Sequence, residues 1–386
     1  MMNWMHDDPF HPRHYRDVRR PPGEASTLPG WCYVSDAFLR RERERIFSRA
    51  WQFAGRLEEI PRGGYRSVDT AGGPILLVND GALRAFANTC RHRGTPLVSG
   101  CGMASRIVCP LHGWRYRLDG SLESAPGTSI DHGRYALRGI RADVWAGFVF
   151  VCFSRRTAGL ASWFGDMTQR LASHDLAEFR VARRRHYTVR ANWKLIAENA
   201  MEAYHTGTVH GDSLGAQASR DLVTRGHWDA LQVLGEASVA VLPGQPAPFP
   251  PVKSLSPEAR AGTFFTTLHP NTQFACAQDS MWWLHYRPLS PGLTRLEVGQ
   301  CFPDSTTRRD DFAEGSKAYF HRWDTGIDED NAICEAQQAG ISSPFHRPGR
   351  LSVREQAVHR LNNWIVDQTI DDGLARRRID ALHGSH

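Results

Sequence analysis

Two short segments, each carrying one cysteine and one histidine among loop-forming residues, constrain this chain more than anything else in it. The first reads Cys90-Arg91-His92-Arg93-Gly94 and the second Cys109-Pro110-Leu111-His112-Gly113-Trp114, with sixteen residues between His92 and Cys109. Gly94, Pro96, Pro110 and Gly113 place both pairs in turns. Two thiolates and two imidazoles on facing loops suit a [2Fe–2S] cluster in which the cysteines hold one iron and the histidines the other. The same ligand types also suit a tetrahedral zinc ion. Zinc fingers, however, place their histidines about three to five residues apart on one helix. Here each histidine is tied to its own cysteine, which favours the cluster. Replacing two anionic thiolates by neutral imidazoles raises the potential of such a cluster, so it accepts electrons readily.

The remaining cysteines, Cys32, Cys101, Cys152, Cys276, Cys301 and Cys334, have no second cysteine within chelating reach and are expected to be small buried apolar groups. Eight cysteines in a chain of 386 residues with no secretory leader argue against a disulfide framework. The opening MMNWMHDDPFHPRHYRD has neither the apolar stretch nor the cleavage site of such a leader. The longest apolar run, residues 144–153 (VWAGFVFVCF), is about half the length of a membrane-spanning helix and is expected to be one buried strand. A cytoplasmic protein that neither enters a membrane nor binds nucleic acid is therefore expected. Of the 47 basic residues only Lys194, Lys253 and Lys317 are lysines, and the arginines are scattered. The net charge of +6 suits an acidic redox partner or an anionic substrate as well as it suits nucleic acid.

The length fits two domains. Residues 1–50 read as an N-terminal segment, with a surface helix over 37–51, that packs on the later domain. Residues 51–155 are short apolar runs broken by Gly63-Gly64, Gly72-Gly73-Pro74, Asp80-Gly81 and Asp119-Gly120, the pattern of a β-rich unit. Residues 156–386 read as an α+β domain with helices over 193–206, 331–339 and 354–367 and a strand over 293–302. Residues 243–251 (PGQPAPFPP) read as a surface loop.

A second constellation lies in the later domain, where Glu202, His205 and His210 follow Asn192-Trp193-Lys194. Oxygen-activating ferrous enzymes use two histidines and one carboxylate on one face of the metal, leaving the other positions open. His205 and His210 supply two of these ligands. Their spacing does not keep them on one helical face, so the helix is expected to end and turn at Gly207. Glu202 lies one turn before His205, placed to hold its free ring nitrogen. The carboxylate ligand must come from elsewhere, and Asp328 and Asp330 are the candidates in an acidic stretch before Glu335. Such residues also suit the first turn of any helix.

Cys90-x-His92 with Cys109-x-x-His112-Gly113-Trp114, followed by Tyr116 and Asp119-Gly120, resembles the Rieske domain of ring-hydroxylating oxygenase α subunits. Respiratory Rieske proteins carry an extra cysteine in each loop, where this chain has Thr95 and Leu111. The resemblance implies a β-rich Rieske domain and a helix-grip catalytic domain with an antiparallel sheet. It implies cluster binding by Cys90, His92, Cys109 and His112 with Trp114 beside them, and a mononuclear Fe(II) held by His205, His210 and Asp330. It further implies a head-to-tail homotrimer in which Glu202 meets the second Rieske histidine of a neighbouring subunit, giving an electron path His112, Glu202, His205. No G-x-G-x-x-G follows a strand candidate. NAD(P)H is therefore expected to act only through a separate flavin reductase, a ferredoxin, or both, docking on the arginine-rich face that includes Arg91 and Arg93.

The last third of the chain resembles the branch that hydroxylates or demethylates quaternary ammonium compounds such as betaines and carnitine. Such cations bind on aromatic faces, and Phe264, Phe265, Trp282, Trp283 and Tyr286 are the candidates. Neighbours on a strand point to opposite sides, so only one of Trp282 and Trp283 is expected to line the cavity. Hydroxylation of an aromatic ring is the alternative reaction. From other classes, an electron carrier with no oxygen chemistry or a structural zinc protein remain open. The length of the chain and the second constellation weigh against the carrier, and the pairing of each histidine with its own cysteine weighs against zinc.

Overall fold

The apolar run over 144–153 is a hairpin and not the single strand expected of it. Ala146 and Gly147 take positive φ, 48° and 79°, between strands Gly139–Trp145 and Phe148–Cys152, a turn whose twist matches that of the strands it joins. The computed structural model describes residues 8–235 and 238–370. Its chain divides into two units, Phe47–Trp163 and the residues up to Ile46 together with those from Phe164 onward.

In the first unit the hairpin belongs to an antiparallel sheet ordered Gln52–Arg56, Phe148–Cys152, Gly139–Trp145, Leu83–Ala87, Gly73–Asn79, Gly64–Thr70 and Cys101–Met103. A small sheet of Ile107–Val108, Arg115–Tyr116 and Leu122–Ser124 carries the second Cys/His loop. Leu76, Val78, Phe86, Leu97, Trp114 and Tyr116 form a core around Cys90 and Cys109. Cys101, expected to be buried, is exposed. It lies on the outermost strand of the sheet, where no neighbouring strand covers it.

The second unit is an antiparallel meander ordered Ser219–Asp221, Trp228–Leu234, Gly262–Leu268, Thr272–Cys276, Met281–Ser290 and Leu293–Pro303, with the earlier strand Phe179–Val189 added beside the last. The fold class is α+β, as expected. Residues 331–339 are only the end of a 30-residue helix, Phe312–Ile341. Its first half is hard to read because Gly315 and Gly326 each weaken a helix by about 1 kcal/mol relative to alanine. Tyr319, Trp323 and Ile327 nonetheless repeat every four residues and are buried. The helix expected over 193–206 stops at Asn199, and a short helix resumes at Thr206–Val209. The carboxylate of Glu202 accepts the backbone N–H groups of Tyr204 and His205, a local alternative to helical bonding. Gly207 therefore lies inside a helix and makes no turn. The last described helix is Gln356–Thr369, close to the expected span.

The helix Asp36–Glu42, followed by a π-helical turn at Arg43–Phe47, replaces the single helix expected over 37–51. It fixes the N-terminal segment to the second unit through Glu42 and Lys194, both wholly buried with a 2.6 Å contact. The Trp193 indole N–H donates to the other oxygen of Glu42. Asn192 caps the helix Trp193–Asn199 through its side-chain oxygen, while its amide donates to the carbonyls of Tyr33 and Pro291. No helix among the described residues is long and apolar enough to cross a membrane.

Removing one partner of a buried ion pair leaves an uncompensated charge and costs about 3–5 kcal/mol. Glu42→Ala should destabilise the second unit by that order, and Glu42→Leu combined with Lys194→Met should recover most of it. Denaturant titrations of the three proteins check this; equal midpoints for Glu42→Ala and wild type would refute it.

Candidate functional site

The two Cys/His loops are built alike. In each, the backbone N–H of the glycine four residues on donates to the cysteine carbonyl, Gly94 to Cys90 and Gly113 to Cys109, both at 3.0 Å. The cysteine N–H donates in turn to the carbonyl five residues on, Thr95 or Trp114, both at 2.8 Å. Closing such a loop requires positive φ at the glycine, 79° at Gly94 and 70° at Gly113. The result buries both cysteines and leaves both histidines exposed. The rings of His92 and His112 lie 4.7 Å apart between centroids, and Trp114 stacks on His92 at 5.0 Å. The Tyr116 hydroxyl lies 3.4 Å from the Cys90 sulfur and accepts the N–H of Arg91.

Burial, aided by the neighbouring Cys90 sulfur, pushes the Cys109 thiol above its ordinary range. Two thiolates at this place therefore need cations between them, as an iron–sulfur cluster provides. Paired sulfurs below and paired imidazoles at the surface fit that group. Arg91 and Arg93 are exposed beside it.

The second site is anchored differently. His205 precedes the short helix Thr206–Val209 and His210 follows it, so one turn of chain brings their rings to 5.2 Å. Each ring has its Nδ1 occupied by a carboxylate at 2.6 Å: Glu202 for His205 and Glu329 for His210. Ser213 donates its hydroxyl to the same Glu329 oxygen. With Nδ1–H committed to donation, each Nε2 presents a lone pair. Both lone pairs face Oδ1 of Asp330, at 3.5 Å from His205 and 3.2 Å from His210. Asn199 also donates to that oxygen, at 2.7 Å.

Two imidazole lone pairs and a carboxylate oxygen repel unless a cation lies among them. Burial works against a charged His210, yet Asp330 and Glu329 raise its pKa above the ordinary value, so the pocket demands positive charge. A ferrous ion meets that demand, and the donor set matches a facial two-histidine, one-carboxylate site. Among the described residues these three are the one group of metal-ligating side chains whose donor atoms all lie within 4.8 Å. Asp330 sits in the middle of the long helix instead of opening one. Asp328, the competing candidate, is exposed on another side of that helix and faces Arg185 and Tyr187. Glu202 holds His205 from a turn and not from a shared helical face. The role of Glu329 escaped the sequence reading, although a second acid beside Asp330 was its signal.

The triad opens into a cavity of about 70 Å³ that Phe265, Trp282, Leu284, Arg322, Trp323 and Ile327 help to line. Of the candidate cage residues, Phe265 and Trp282 are on this lining. Phe264, Trp283 and Tyr286 are not. Trp283 points to the other side of the sheet, where its indole donates to Glu297 and Arg184 covers its ring. Phe264 packs edge-on against His174. Tyr286 shares the side of Trp282 and is wholly buried, its hydroxyl donating to Gln273. Trp323 was missed because the helix that carries it was missed. A second cavity of about 340 Å³, bordered by Pro243, Gly244 and Gln245 of the proline-rich loop, shares Leu214, Gln217, Val233 and Arg322 with the first.

Residues 176–370 match the ring hydroxylating alpha subunit (catalytic domain) family, and residues 50–133 match the Rieske [2Fe-2S] domain. The chain is 28% identical to the chloroplastic choline monooxygenase of Spinacia oleracea, with 91% of this chain and 80% of that one covered. It is also 28% identical to the glycine betaine monooxygenase oxygenase subunit of Chromohalobacter salexigens, covering 94% and 89%. Its fold is similar to the crystal structure of the quaternary ammonium Rieske monooxygenase CntA with L-carnitine, at TM-score 0.75 and 23% identity over 89% and 96% of the chains. A family match over half its length, laid on the paired loops and on the triad of His205, His210 and Asp330, shows that the chain belongs to the Rieske non-haem iron oxygenase α subunits.

Proposed function

We propose that this chain is the terminal oxygenase of a multicomponent system that hydroxylates or oxidatively demethylates a small quaternary ammonium compound. The observation that carries the reading is the convergence of His205, His210 and Asp330 on a cavity walled by Phe265, Trp282 and Trp323. Aromatic faces attract a trimethylammonium group, and the relatives compared above are named for choline, glycine betaine and L-carnitine. When bound, the ferrous ion supplies dioxygen activation and the cluster supplies single electrons.

The chain's own residues orient and exclude. Asn199 fixes the Asp330 carboxylate, Glu202 and Glu329 fix the two rings, and Leu284 and Ile327 keep the cavity wall apolar. Glu202, bound to Nδ1 of His205 on the side of the ring away from Asp330, is the residue we assign to electron arrival from His112 of a neighbouring copy. That assignment requires a head-to-tail trimer, which should sediment at three times the 43.4 kDa chain mass; a monomer at working concentration would exclude it. Electrons come from NAD(P)H through a separate reductase, with or without a ferredoxin.

The reading is tested by reductase-coupled oxygen uptake with trimethylammonium compounds against aromatic substrates. Turnover of only the aromatic compounds would replace it with ring hydroxylation. His205→Ala should abolish turnover while leaving the visible spectrum of the cluster intact, and Glu202→Gln should retain both metals yet stop catalysis. Normal turnover in Glu202→Gln would contradict its role in electron arrival. Loss of a carboxylate that holds a metal-bound histidine lowers metal affinity about 10- to 100-fold. Glu329→Gln should therefore release the mononuclear iron to a chelator at correspondingly lower concentration, with the cluster unaffected; unchanged iron retention would show that Glu329 does not support His210.

A further inference from the structure

Arg322 is 4% exposed, yet among the described residues no carboxylate forms an ion pair with it. Its Nε–H donates to the carbonyl of Val239 at 2.8 Å, and its terminal nitrogens have no hydrogen-bond partner among the described residues. The guanidinium lies 3.9 Å over the Trp323 ring and 6.0 Å from that of Trp282. Burial pulls its pKa down to about 10, although Asp330 and Glu329 act in the opposite direction. A buried cation with open donors calls for an anion.

Its position says where that anion would sit. Arg322, Gly326 and Asp330 follow one another at single-turn spacing along the helix Phe312–Ile341. The Arg322 side chain runs towards Asp330, with Nη1 3.2 Å from the place where Gly326 would carry a Cβ. The absence of a side chain at Gly326 gives the guanidinium its room. From Gly326 to Asp330 is one further turn, about 6 Å along the axis. Arg322 also lines both the triad cavity and the neighbouring cavity under the proline-rich loop, so it stands where the two meet.

We propose that Arg322 receives a carboxylate of the substrate and makes the enzyme selective for carboxylate-bearing compounds. On the reading given under Proposed function, on which the substrate class rests, this means a betaine-type zwitterion and not a cationic alcohol such as choline. The planar fork of an arginine binds a carboxylate through two parallel hydrogen bonds. Its charge also repels a cation that brings no anion with it, and it covers a face of Trp323 that such a cation would otherwise use. One turn of helix between guanidinium and triad matches a compact molecule whose carboxylate and oxidised carbon are a few bonds apart.

The test is anaerobic calorimetric binding of glycine betaine, its amide (a cation in which an uncharged carboxamide replaces the carboxylate), choline and benzoate to the iron-loaded wild type, Arg322→Gln and Arg322→Lys, with coupled oxygen uptake alongside. The amide comparison needs no variant, so it stands even if Arg322→Gln fails to fold, which retention of the mononuclear iron and the denaturant midpoint of the second unit report. Removing one partner of a buried charge pair weakens binding on the order of 30-fold or more. Wild type should therefore prefer glycine betaine over its amide and over choline by about that factor. Arg322→Gln should lose the preference, and Arg322→Lys should restore only part of it. Equal binding of glycine betaine and its amide by wild type, or an unchanged preference in Arg322→Gln, would overturn the proposal while leaving the quaternary ammonium reading intact. Arg322-dependent binding and oxidation of benzoate, with no trimethylammonium compound accepted, would uphold the carboxylate role and overturn that reading instead.

Discussion

Each imidazole of the triad has a single nitrogen left to give, because a glutamate holds the other. The contacts of Glu202 with His205 and of Glu329 with His210 turn two flexible rings into a fixed pair of lone pairs aimed at Asp330. Without them the rings would be free to rotate and the donor set would not be preorganised for a metal. The arrangement explains why the segment after Asn199 abandons the helix. A continuous helix would carry His205 and His210 about 140° apart around its axis, whereas the turn and one short helix bring them together.

The long helix Phe312–Ile341 organises the other side. It presents Asp330 to the metal position, Glu329 to His210, and Trp323 and Ile327 to the cavity, with Arg322 one turn beyond Gly326. Its opposite end is tied down by Glu335, which pairs with Arg190, and by Gln338, which accepts the N–H of Asn192. Asn192 also caps the helix that leads to Asn199, itself a partner of Asp330. Ligand geometry is thus set by contacts among two helices and an N-terminal segment far apart in sequence.

Local chemistry was legible in the sequence and long-range packing was not. The Cys/His loops were readable because turn glycines at a fixed offset from each cysteine dictate the same backbone closure twice. The β-rich unit and the later α+β domain followed from glycine punctuation and helical periodicity. Errors arose where a tertiary partner outweighed local preference. Ala200 to His205 contains good helix formers, yet the Glu202 carboxylate captures the backbone N–H groups that a helix would use. Residues 312–330 contain two glycines and a run of acids, yet burial of Tyr319, Trp323 and Ile327 holds them helical. Strand alternation limited the cavity wall to one of Trp282 and Trp283. Which one required the register, Trp282 opposite Gln300 and Trp283 opposite Gly299. Arg322 depended on a stretch of helix that local preference hides, and Glu329 left only the trace of a second acid beside Asp330.

Iron-57 Mössbauer spectroscopy of the anaerobically purified protein addresses two separate iron stations in one polypeptide most directly. The two-station arrangement requires two irons with the coupled signature of a mixed-ligand cluster and one high-spin ferrous iron, in an area ratio of two to one. The ferrous component should vanish in His210→Ala while the cluster component persists. A spectrum with cluster iron alone, or a ferrous component unchanged in that variant, would contradict it.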